Sequence, residues 1–162
     1  LLLAYFDLAI EHIQSIYFLF QHSRNGSALA LVRPFYETIY RAFWTYAFAT
    51  NEEVEKIRNG KFEFKGMGTI LEELDNFYTG NNFFQNMKKG TWGIMSDYAH
   101  SGTCQLSRRW TNGNLIPNYS ENEILEVLVE TRKTLLLFAY TLIKMHDIDE
   151  EEILILLANF EG

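Results

Sequence analysis

Apolar residues recur every three to four positions along nearly the whole chain, and no stretch sustains the two-residue alternation of a half-buried strand. The pattern predicts an all-α single-domain bundle of about six or seven helices. The first should run from Leu2 to about His22, where Ser23-Arg24-Asn25-Gly26 breaks the period. Ser27 is placed to N-cap a second helix, Ala28 to Ala49, within which Pro34 should bend the axis or mark a local break. Thr50 and Glu53 have capping-box spacing for a short third helix that Gly60 ends. Lys61 to Gly68 reads as a connector and Thr69 to Tyr78 as a fourth helix. Thr79-Gly80-Asn81-Asn82 reads as a turn before a short segment around Phe83 to Met87. A fifth main helix is expected from Trp92 to Trp110, although Gly93 and Gly102 each weaken it by about 1 kcal/mol relative to Ala. A loop through Asn112-Gly113-Asn114 and Pro117 follows. Ser120 and Glu123 then form a second capping box for a long helix to Met145, and a last helix, Glu150 to Phe160, comes after Asp147 and Asp149.

The second helix carries a ladder of charge. Arg33, Glu37 and Arg41, four residues apart, share one narrow stripe, while Val32, Phe35, Ile39, Phe43 and Tyr46 cover the other side and Tyr40, Trp44 and Phe48 flank the charges. Burying unpaired ions costs several kcal/mol each, so such a ladder persists either as a paired network or as part of a site.

Composition narrows the function classes. With 162 residues, 48% of them hydrophobic and 15% aromatic, the chain can bury a sizeable core. A net charge of -7 argues against a surface that grips DNA over a large area, since each phosphate contact normally needs a Lys or Arg. A small RNA site or a nucleotide pocket is compatible with it. The single Cys104 excludes an internal disulfide framework and suits a cytoplasmic, reducing compartment. Asp7, Glu11 and His12 interrupt the apolar start at helical spacing, so it reads as a packed helix and neither as a membrane span nor as a signal. The missing initiator Met suggests that the natural protein begins further upstream.

Candidate chemistry gathers in a second segment, Asp97 to Trp110. If this is one helix, Asp97, His100, Cys104 and Arg108 share a face within about 80° of arc. That face is either the solvent side of an amphipathic helix or a place of close approach, which Ser101 and the glycines favour. Buried ions need partners, so Asp97 is expected to pair with Arg33 or Arg41, which would bring His100 close to Glu37. A histidine held by a carboxylate among guanidinium groups is a workable acid–base site for phosphodiester chemistry and equally a phosphate pocket. The alternative is a satisfied network that holds helices in register. Other site types lack parts. Gly66 and Gly68 do not make a phosphate loop, no metal set or cofactor motif stands out, and Cys104 with His100 one turn earlier lacks an orienting group. His22 and His146 sit near expected helix ends, where the dipole explains them. Lys88-Lys89 and Arg108-Arg109 are too few for a broad nucleic-acid footprint.

The segments SALALVRPFYETIYRAFW and DYAHSGTCQLSRRW resemble an uncharacterised family of bacterial helical proteins. That family carries Arg-Pro and Glu with a following Arg in an early helix, then His-x-Gly-x-x-Gln-x-x-Arg. The resemblance runs from about Ser27 to Ala139 and implies a polar centre of Arg33, Glu37, Arg41, His100, Gln105 and Arg108. In helical layout it is also similar to the HEPN bundles, which implies a dimeric ribonuclease, toxin or phage-defence component. The Arg and His spacing of active HEPN ribonucleases, four to six residues apart, is absent here. Two expectations result. One is a HEPN-like module that binds RNA or a nucleotide, with His100 and Glu37 as acid–base groups and Arg33, Arg41, Asp97, Gln105 and Arg108 as ligands. The other is a non-catalytic module that forms a homodimer or docks a partner protein.

Overall fold

The computed structural model describes residues 1–145 and 148–158. Eight α-helices and a π-helical turn make up the described fold: α1 (Leu2–Gln21), α2 (Asn25–Phe48), α3 (Asn51–Arg58), α4 (Met67–Leu74), the π-turn Asp75–Thr79, α5 (Phe83–Ala99), α6 (Thr103–Ser107), α7 (Glu121–Met145) and α8 (Glu150–Ala158). The all-α expectation holds, with more and shorter helices than the period alone implies. No β-strand occurs among the described residues, and none of the described helices is long and apolar enough to cross a membrane.

The centre of the molecule is α2. It packs antiparallel on α1 across a tight reversal at His22, Ser23 and Arg24, where Ser23 adopts φ 56°. Phe6, Ile13 and Ile16 of α1 meet Val32, Phe35 and Ile39 of α2, and Leu135, Phe138 and Leu142 of α7 with Ile153 of α8 close the main core. Another face of α2 presents Tyr40 and Trp44 to a smaller core made by Ile70, Leu71 and Leu74 of α4 and Phe84 of α5. With two of its faces committed to two cores, α2 leaves the stripe of Arg33, Glu37 and Arg41 only partly covered.

Local chemistry explains where elements begin and end. Both capping boxes form: Glu53 N–H donates to Thr50 Oγ1 at 3.2 Å and Glu123 N–H to Ser120 Oγ at 3.2 Å, each glutamate accepting in return from its cap's backbone. Ser27 is not a cap. The reversal at Ser23 lets α2 start at Asn25, and the Arg24 carbonyl takes the first amides, those of Ser27 and Ala28. Pro34 neither ends nor interrupts the helix; the Thr38 hydroxyl donates to its carbonyl at 2.9 Å.

Two expected segments, Phe83 to Met87 and the helix from Trp92, are a single helix. Its start is built from a distance, with Asn82 left-handed at φ 58° and the buried Asp75 carboxylate accepting from Phe84 N–H at 2.7 Å and Gln85 N–H at 3.0 Å. The same helix stops at Ala99, where a run to Trp110 was expected. Ser101 turns left-handed at φ 55°, and Asp97 Oδ1 accepts from Gln105 N–H at 2.9 Å, so the Asp97 carboxylate holds the first turn of α6. Gly102 permits this, since a Cβ there would lie 2.2 Å from Asp97 Oδ2. Asn112 and Gly113 (φ 50° and 80°) then form a tight turn closed by the Thr111–Asn114 bridge. The expected end of the last helix at Phe160, the flanking Asp147 and the helix-end role of His146 lie outside the described residues.

Candidate functional site: a guanidinium crossing between α2 and α5

The helical repeat of α2 stacks Arg33, Glu37 and Arg41 on successive turns. Glu37 bridges the other two, accepting from Arg33 Nε at 2.8 Å and from Arg41 Nη2 at 3.0 Å. Arg33 then reaches across to α5. Its Nη1 donates to Ser96 Oγ at 3.1 Å and lies 3.0 Å from His100 Nε2, while its Cζ sits 5.2 Å from the centre of the Trp92 ring. A guanidinium has no acceptor, so Nε2 of His100 must accept this bond, leaving the ring proton on Nδ1. The expected meeting of ladder and histidine is found, with Arg33 as the link between Glu37 and His100. The site is not sealed: the side chains of Arg33, Glu37 and Arg41 are 22%, 16% and 39% exposed, and His100 is open to solvent.

Three expected members lie elsewhere. Asp97 caps α6 instead of pairing with Arg33 or Arg41, because the break after Ala99 gives its carboxylate a backbone amide to hold. Gln105 ties α6 to the start of α2, its Nε2 donating to the Gly26 carbonyl at 3.0 Å. Arg108 makes a two-pronged pair with Glu123 and also donates to the Asn118 carbonyl at 3.2 Å. Cys104, expected one turn beyond His100 on the same helix, is instead on α6, exposed and free.

Further residues extend the site along α5. Gln85, Lys89, Trp92, Ser96 and His100 repeat at helical spacing on one face. A shallow hollow of about 380 Å³ there is bordered by Lys88, Lys89, Trp92 and Gly68. The available signal was the spacing of Lys89 and Trp92 ahead of His100, which is invisible if α5 is thought to begin at Trp92.

Trp92 also borders a larger cleft of about 600 Å³ between α5 and α6 on one side and α7 on the other, lined as well by residues of α2. Val32, Tyr36, Tyr40, Tyr98 and Val127 line it, and Glu123, Glu126 and Glu130 stand on its α7 side. Burial raises the hydroxyl pKa of Tyr40, Tyr36 and Tyr98, so these rings present neutral hydroxyls. Arg108 and Glu123, paired with each other, both belong to the lining of the cleft.

The hydrogen bonds from Arg108, then from the Ser120 backbone, depress the Glu123 carboxyl to about 2. A depressed folded-state pKa stabilises the fold above the ordinary carboxylate range, and the contribution is lost as pH falls through about 2. The melting temperature of the wild-type chain should therefore drop more steeply than that of Glu123→Gln between about pH 4.5 and 2. Parallel curves in thermal scans would refute the pairing.

The chain matches the DUF6988 family, a family of unknown function, over residues 6–152, and it belongs to that family. No curated protein and no solved structure matches it.

Proposed function

We propose that the chain is a cytoplasmic, HEPN-like module of a bacterial defence or toxin system that binds a short stretch of RNA or a nucleotide along the α2–α5 stripe, and that it holds this ligand without cleaving it. The observation that carries the reading is the concentration of cations there. A chain of net charge -7 sets Arg33, Lys88 and Lys89 beside the Trp92 indole, with Arg41 further along the same stripe of α2. Arg41 donates to Glu37 through Nη2 and its side chain is 39% exposed, so its Nη1 retains donors for a phosphate. The acid–base groups are already engaged. Both oxygens of Glu37 accept from arginines, and Nε2 of His100 accepts from Arg33, so neither is poised to move a proton.

Fluorescence anisotropy of a labelled single-stranded oligoribonucleotide at low salt tests this. Wild-type chain should bind, and Arg41→Ala and Lys89→Ala should each weaken binding and lower the slope against salt by about 1, with no cleavage products. Absence of binding, or binding indifferent to both substitutions, would end the reading. A second reading, a self-associating scaffold, is favoured by the exposed stripe of Leu125, Val129, Leu136 and Tyr140 on α7. His100→Ala separates the two: the first predicts lost binding with a cooperative fold, the second a lower melting temperature with the chain still sedimenting as a dimer.

A further inference from the structure

We propose that the cleft between α5 and α7 is a second binding site, for a small hydrophobic molecule that carries a positive charge. Its volume of about 600 Å³ is that of a small-molecule pocket. The floor and walls are apolar and aromatic, from Val32, Tyr40 and Val127 to the Tyr36–Tyr40 pair, whose ring centres lie 6.2 Å apart. Such a lining removes hydrocarbon or ring surface from water.

The charge of the ligand follows from what surrounds that lining. Three carboxylates, those of Glu123, Glu126 and Glu130, border the cleft, and among the described residues Arg108 is the single cation in its lining. Arg108 is spent on Glu123. Glu130 shares one oxygen with the exposed Lys133 and lies close to Tyr36. Glu126 has no ion pair among the described residues. A ligand anion would meet net negative charge with no free cation, while a cation would gain the carboxylates and the electron-rich faces of aromatic rings. None of the cations of the α2–α5 stripe belongs to the lining of this cleft, so this site does not depend on the RNA-binding reading.

The test is calorimetric titration of the whole chain with three ligands of matched ring: naphthylmethyl-trimethylammonium, naphthylmethanol and naphthalenesulfonate. The cation should bind most tightly and the sulfonate least. Converting both Glu126 and Glu130 to Gln, two exposed positions, should reduce the preference for the cation over the alcohol by about fivefold or more and leave the alcohol unchanged. Val127→Trp, which fills the cleft, should abolish binding of all three while RNA binding stays as in the wild type. The proposal is overturned if no ligand binds, if the sulfonate matches the cation, or if the preference survives removal of both carboxylates.

Discussion

Phe138→Ala is expected to cost about 3–5 kcal/mol of stability, enough to lower the unfolding midpoint in urea severely. Phe138 is 1% exposed and stands where three helices meet. Its ring lies edge-on to Phe6 of α1, centroids 5.5 Å apart at 73°, and to Phe43 of α2, 5.3 Å apart at 74°. Truncation removes a buried ring, opens a cavity between α1, α2 and α7, and forfeits two edge-to-face contacts of about 0.5–1.5 kcal/mol each, part of the same total. Phe138→Leu keeps most of the volume and should recover more than half of the loss. A change below about 1 kcal/mol for the alanine variant, measured by circular dichroism in urea, would show that α7 is not seated on the main core in this register.

Asp75→Ala should be nearly as damaging, at about 2–4 kcal/mol, although it removes only a carboxylate. The side chain is 1% exposed and holds the amides of Phe84 and Gln85 at 2.7 and 3.0 Å. Removing it loses the cap of α5 and strands two donors in a poorly hydrated place. Asp75→Asn, which keeps one acceptor oxygen, should fall between alanine and wild type. Hydrogen exchange locates the effect: the Phe84 and Gln85 amides should exchange much faster in the alanine variant, with α1 and α7 little changed. Uniform acceleration over the whole chain would contradict this local assignment.

Helical class and the main core were readable from period alone, because Phe6, Ile13, Val32, Phe35, Leu135 and Phe138 fall on single faces of long helices. The two capping boxes were equally legible, since both partners lie three residues apart. What escaped were starts and stops set by residues distant in sequence. Asp75 caps a helix nine residues later and Asp97 a helical turn eight residues later, and neither spacing belongs to a local pattern. Missing the first hid the beginning of α5, and with it Lys89 as part of the stripe. Missing the second carried Arg108 onto the wrong face. At the site, Arg33, Glu37, Arg41 and His100 were legible because four-residue spacing and the cost of buried charge both pointed at them. The cleft was not, since its walls belong to elements far apart in the chain.

Arg108 and Glu123 fasten the stretch after α6 to the first turn of α7 while remaining 35% and 45% exposed. A solvent-facing pair of this kind is worth up to about 1 kcal/mol, little beside the hydrocarbon that keeps α7 on α1 and α2. The stretch after α6 is thus tied lightly to a helix held by its core contacts. Rising ionic strength, or acid that protonates Glu123 near pH 2, weakens this tie without touching the hydrocarbon contacts that seat α7.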